Sequence, residues 1–490
     1  MKARCMGFVL AAWVFHVPAA SSAVSSVAGG WWTNAAIWDS GVPTPGADVA
    51  INSGHSVTAN VSTAALNSLT VGGTLVFSGW NTAITSITVN VNDTVTHLPQ
   101  STTETNPAGP WIPDNRVWIA CSNLTVSASG KIDVNGKGYQ GPTPSGSAIP
   151  GRGPGGGRVS DWAGGGGYGG TGGRASNGTR GGSPYGDASA PTNPGSSGGS
   201  AYDYSAGAKA GNGGGAIRIE ASGRVTVDGL ISANGDDGPG PSYTSSGSSG
   251  GSVFITCRSF TGSGVIRSAG GAGPNYGGSG RTGGGAGGRV AVVYDASEQS
   301  NAPPPAVSFN LGGGPSGPSV WFEYAGVPYG EPGSLYLTDL RFFPTNPIVS
   351  GFSLVSQTAS NWAVNTLTVT GAWVRFPGGF AVTVTNSLTI MGTGGVVELP
   401  APAWMTCGSV TLTNGGRLYL SSGPTNAVGP DYGGLLTVGG ALTVNATSAL
   451  YVACDPTNGG AVRMAVRFLN VPNGGNISAD GRGYRGWVAA

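Results

Sequence analysis

The sequence predicts an all-β fold, a right-handed parallel β-helix with long glycine-rich loop insertions. Three observations predict it: a short strand phrase that recurs, a step length that suits one solenoid coil, and a composition favouring strands and turns over helices. The phrase is an aliphatic residue, Thr, another aliphatic residue, a polar turn and a second short strand. It reads Leu69-Thr70-Val71 before Thr74-Leu75-Val76-Phe77, and Leu124-Thr125-Val126 before Lys131-Ile132-Asp133-Val134. It returns at Leu367, Leu388, Val410 and Leu442, the first two steps being 21 and 22 residues. A unit this small cannot bury its own apolar side and must stack on copies of itself. Alternation turns Leu, Val and Ile to one face and Thr and Asn to the other. The right hand follows from the strong bias of parallel crossovers. Asn135-Gly136 and Asn414-Gly415 would also suit hairpins of a β-sandwich, but the even step favours coils.

Residues 1–23 read as a signal peptide. Lys2 and Arg4 precede a short apolar run from Phe8 to Val17, and Ser21-Ser22-Ala23 supplies small residues for cleavage. That run is too short to span a membrane, and no later run reaches the roughly 18 apolar residues a span needs. Removing residues 1–23 leaves 21 basic and 22 acidic residues, a formal charge of −1. This balance calls for neither nucleic acid nor a membrane surface as partner. Cys121, Cys257, Cys407 and Cys454 form no C-x-x-C pair. They read as small buried residues, with two disulfides as the alternative in an oxidising compartment.

The expected organisation is a β-rich opening over 24–120, a glycine-rich cassette over 121–300 with a loop insertion at 141–212, a Pro/Gly-rich junction at 301–350, and further coils over 351–490. Residues 123–141 align without a gap with 468–486, at an offset of 345. A second glycine cassette therefore opens at 468–490, as expected of a piece of a longer repetitive protein. Residues 136–290 hold 50 glycines in 155 positions. They lack the Gly-X-Y period of collagen. The G-x-G-x-x-G match at Gly136–Gly141 is followed by more glycine and not by a helix, so no dinucleotide cofactor is expected.

Between Lys131 and Val290, 13 basic residues face 8 acidic ones. An export signal argues against RNA, so an extracellular polysaccharide or another cell-surface component is the expected partner. Trp162, Tyr168, Tyr202 and Tyr204 are candidates for stacking on sugar rings, and would equally pack on bare glycine backbone. Asp236-Asp237, the one adjacent acidic pair, is a weak calcium candidate, with solvated turn residues as the plainer reading. His55 and His97 lie 42 residues apart without a partner at ligand spacing, and no G-x-S-x-G elbow occurs. No catalytic set is legible. The expectation is a secreted or cell-surface structural or adhesive protein, with a polysaccharide-binding protein or depolymerase as the alternative.

Residues 38–79 carry a family resemblance. Trp38, the Pro43–Pro45–Gly46 turn, Asp48-Val49, Ile51, Ser53-Gly54-His55, Val57-Thr58 and the step from Leu69-Thr70-Val71 to Gly73-Thr74-Leu75 resemble the extracellular eight-glycine domain family. Asn60 stands where the family pattern has an acidic residue. The resemblance implies an all-β extracellular module that often leads into a β-helix, some relatives acting on or binding polysaccharides such as hyaluronan. The remainder resembles, in composition, the glycine-rich β-helical surface proteins of bacteria.

Overall fold

The computed structural model describes residues 23–101, 111–143, 147–201, 209–239, 245–276, 280–315, 329–343, 347–356, 359–424 and 433–483. The recurring phrase is the stacking unit. Val24, Val49, Leu69, Val89, Leu124, Val225 and Phe260 form one inward column, each strand pairing in parallel with the next. Gly30, Val57, Leu75, Val95, Ile132, Ile231, Ile266 and Phe309 form a second. Every side chain in both columns is buried, each contributing about 2 kcal/mol by leaving water. In the second half Leu367, Leu388, Val410, Leu442 and Leu469 stack. Beside them run Val374, Val397, Leu418, Leu450 and Ile477. The steps of 21 and 22 residues are thus single coils of a parallel β-helix.

The pairings assemble parallel sheets of 17, 8 and 5 strands. The 17-stranded sheet changes column at Phe352–Ser356, which pairs with Ser334–Leu337 on one edge and Trp373–Arg375 on the other. Phe343, Phe352, Trp362 and Phe376 fill the core there, with ring centroids 4.7–6.1 Å apart. Large rings suit a place where the cross-section changes and aliphatic layers cannot repeat. Asn414 and Gly415 have φ of 53° and 88°. They join Trp404–Thr413 and Arg417–Ser421, successive strands of one coil that belong to different parallel sheets, so the Asn-Gly signal marks a solenoid corner here and not a hairpin.

The amino-terminal edge of the 17-stranded sheet is closed. Ser26 and Trp38 form an antiparallel bridge. Val27 N–H donates to Ile37 O at 2.7 Å, and Asp39 N–H to Ser25 O at 3.0 Å. Trp38 donates its indole N–H to Trp32 O at 2.9 Å, and the two rings meet edge-on at 5.0 Å. An edge strand left unpaired invites association; this one is blocked.

The glycine tract leaves the solenoid and returns where Gly138 N–H meets Gly213 O. Between and around these points the glycines pack laterally as extended segments. Gly164 and Gly167 donate to Arg158 O and Gly155 O; Gly235 and Gly238 donate to Ala269 O and Ala272 O; Gly247 and Gly250 donate to Gly283 O and Ala286 O. Each pair is three residues apart on both sides, the period of a polyproline II-type helix, which has no internal hydrogen bonds and must find partners sideways. The approach leaves no room for side chains: a Cβ at Gly182 would lie 1.8 Å from Gly155 O. The described residues of the insertion therefore form a packed bundle, and the glycine content is its packing requirement.

Candidate functional site

Asp236 and Asp237 lie at a corner of this bundle. The Asp236 carboxylate accepts from Asn212 Nδ2 at 2.8 Å, and burial pushes its pKa up. Asp237 Oδ1 accepts the Ala272 backbone N–H at 2.6 Å. Each carboxylate thus joins neighbouring segments. Among the described residues no group of three or more His, Cys, Asp or Glu is placed to hold a metal ion.

The aromatic candidates separate. Trp162 is half-buried. Tyr202 and Tyr204 lie outside the described residues. Tyr168 is fully buried, which corrects the glycan contact expected of it. Its ring lies 4.6 Å from Tyr185 and 5.3 Å beneath the Arg289 guanidinium. Burial raises its pKa well above the ordinary tyrosine value. Arg289 in turn donates to Tyr185 O at 2.9 Å and Ser334 Oγ at 2.9 Å. Tyr168 and Arg289 therefore fasten the glycine bundle to the solenoid wall. A large ring can do this because glycine backbone presents a flat, featureless surface.

A stripe that sequence reasoning missed lies on the wall itself, with Trp80, Trp118 and Arg218 half-exposed and Arg116 buried against both indoles. The Arg116 guanidinium sits 4.6 Å from the Trp80 ring and 4.5 Å from that of Trp118. Arg218, one coil on, lies 4.5 Å from Trp118. Glu220 accepts from the Trp118 indole at 2.8 Å and pairs with Arg218 at 2.6 Å. Burial, and then the nearby Arg218, depress the Arg116 pKa to about 10. These residues come from two loops and two strands; the register of Trp118 on Arg218 brings them together, which no local motif announces.

The histidines are structural in their contacts. His55 Nδ1 shares a hydrogen with Ser26 Oγ at 2.8 Å, and Ser26 Oγ accepts from Asn52 N–H at 2.9 Å. His97 is fully buried. Its Nδ1 bonds Leu98 O at 2.6 Å, and its Nε2 accepts Ala216 N–H at 3.2 Å. Asn60, at the position where an acidic residue was expected, donates to Thr33 Oγ1 at 3.2 Å.

Cys121, Cys257, Cys407 and Cys454 are free thiols. Burial pushes those of Cys121 and Cys407 up to about 12. Because only the thiolate reacts, iodoacetamide at neutral pH is expected to spare Cys121 and Cys407 until the chain is denatured. Peptide mass mapping reads this directly; alkylation of either in the folded chain would contradict their placement.

The fold and its closed end define a parallel β-solenoid that opens on a capped all-β module. Residues 33–98 match the G8 domain. The match takes in the Trp38 cap, the Ser53-Gly54-His55 turn and the strand ending at His97. No curated protein matches the chain, and no solved structure does. Among the described residues no helix is long and apolar enough to cross a membrane.

Proposed function

We propose that this chain is an extracellular structural or adhesive protein, working through its surfaces and without catalysis. The observation that carries this reading is the outer face of the five-stranded sheet. Thr368, Thr389, Thr411 and Thr443 stack on successive coils, all half-exposed. Thr383, Thr406 and Thr437 form a second row. Strand spacing sets the repeat at about 4.8 Å. Over its first four strands such a face offers hydroxyls and methyls in a flat, uncharged array suited to lying against another surface. None of its five strands contains Asp or Glu, whereas sugar cleavage needs paired carboxyls at fixed separation. The G8 match supports an extracellular setting.

Polysaccharide binding is the second reading, favoured by the half-exposed Trp80, Trp118 and Arg218. Indole rings stack on sugars, and a guanidinium recognises a carboxylate. The deciding experiment incubates the full chain with neutral and acidic polysaccharides, with and without calcium. Polymer length is followed, together with retention of the protein on each polymer. Unchanged length throughout is the expected result. Shortening that vanishes in the Asp236→Ala, Asp237→Ala double variant would replace this reading with a depolymerase. Retention on an acidic polymer that Trp118→Ala abolishes would establish the second reading.

A further inference from the structure

The outer face of the five-stranded sheet carries two adjacent columns of different chemistry. Ala381, Trp404 and Leu435 follow one another on successive coils. Two residues further along each strand, Thr383, Thr406 and Thr437 do the same. Trp404 and Thr406 are exposed, and the other four are half-exposed. An apolar track thus runs beside a hydroxyl track, about 6.6 Å away, and both repeat at about 4.8 Å.

Trp404 differs from other tryptophans of the chain. Trp38, Trp118 and Trp373 each donate the indole N–H to an acceptor within the protein. Trp362 packs against Phe343 and Phe376. Trp404 does neither among the described residues, and it is 38% exposed. It sits within a strand of a flat face, so its backbone is held while its ring and its N–H stay open to a ligand. An indole in that position offers an apolar surface and a polar edge together.

We propose that these two tracks bind an uncharged, extended β-linked polysaccharide lying along the solenoid axis, with one sugar ring stacked on Trp404. The proposal rests on the adhesive reading of this sheet and names what the sheet adheres to. A pyranose has the same two-sided chemistry as the face: its ring face is apolar and its edge carries hydroxyls. The C–H groups of the ring face meet the negative face of the indole. The edge hydroxyls exchange hydrogen bonds with Thr383, Thr406 and Thr437, whose hydroxyls both donate and accept. Successive coils are about 4.8 Å apart, close to the advance of one sugar along an extended β-linked chain. Neighbouring sugars therefore meet Ala381 and Leu435 as the central one meets Trp404. Charge selects against acidic polymers. The strands Asn361–Thr370, Ala381–Met391, Trp404–Thr413 and Gly434–Val444 contain no Lys, Arg, His, Asp or Glu. They offer no cation to a carboxylate or sulfate, and desolvating an unpaired charge is costly. Arg463, the first charge in the column, lies two coils beyond Trp404.

The probes are microcrystalline cellulose, chitin and, as the acidic comparison, bead-bound alginate. The full chain is mixed with each, and its depletion from solution gives the affinity. Retention on cellulose or chitin is expected, unaffected by added salt because no ion pair is involved. It should fall at least about tenfold in Trp404→Ala and in Thr406→Lys, whereas Trp404→Phe keeps an aromatic face and most of the binding. Both positions are exposed, so the variants should fold, and circular dichroism checks that. Trp118→Ala should bind the neutral polymers as the parent does. The proposal is overturned if neither neutral polymer retains the chain, or if Trp404→Ala binds as well as the parent. It is equally overturned if Trp118→Ala removes the binding, which would then belong to the other stripe. Failure of the adhesive reading itself would show differently, as shortening of the polymer.

Discussion

Gly182→Ala is expected to destroy the glycine bundle, although it adds a single methyl group. The new Cβ would lie 1.8 Å from Gly155 O and 2.5 Å from its carbonyl carbon, with Gly167 N at 2.9 Å. All three atoms are backbone, so no side-chain rotation relieves the clash. Overpacking a core costs about 1–3 kcal/mol when flexible side chains give way; here whole segments must separate and break the lateral hydrogen bonds Gly172 N–H to Gly182 O and Gly182 N–H to Gly165 O. A loss of at least about 3 kcal/mol follows. The measurement is limited proteolysis with mass mapping over residues 147–201. The parent should resist, and the variant should be cut within this stretch. Gly483→Ala is the control, because a Cβ there meets nothing within 4 Å. Equal resistance of Gly182→Ala and the parent would remove the bundle as a packing unit.

The glycine bundle also shows what sequence reading could and could not reach. Strand columns were legible because each Leu-Thr-Val phrase states its inward and outward faces locally. The pairing of Leu367 with Leu388 and of Leu388 with Val410 follows from their spacing alone. Glycine states no face. A segment such as Gly164–Gly167 has no side chain to orient, and its partners at 155–158, 173 and 247 depend on distant stretches of chain. The same limit hid the stripe on the wall, where Trp118 and Arg218 are 100 residues apart yet adjacent in register. It also hid the assignment of Tyr168, since an aromatic residue among glycines reads the same whether it faces a ligand or a backbone. His97 was more accessible. In Thr94-Val95-Thr96-His97 the alternation puts His97 on the face of Val95, which is inward, and its column reads Ala59, Phe77, His97.

That buried imidazole sets the second large effect, a loss of stability in mild acid. His97 occupies a core position and is held neutral: its Nδ1–H serves Leu98 O, and its Nε2 lone pair serves Ala216 N–H. Burial depresses its pKa from 6.5 to about 4, with Lys137 lowering it further and Leu98 O and Asp114 opposing. Between pH 6.5 and about 4 the unfolded chain takes up a proton that the folded chain refuses, so stability falls as pH falls through this window. A depression of this size corresponds to about 3 kcal/mol, fully present above the unfolded pKa. Protonation would also turn Nε2 from acceptor to donor and leave Ala216 N–H without its partner. Ala216 opens the first strand after the glycine insertion, so the acid effect should appear first where the bundle rejoins the wall. His97→Gln keeps an acceptor within reach of Ala216 N–H and has no proton to gain. Urea midpoints measured from pH 7.5 to 4 should fall steeply for the parent and much less for His97→Gln. Parallel declines in the two would mean that carboxylates, and not His97, govern acid stability.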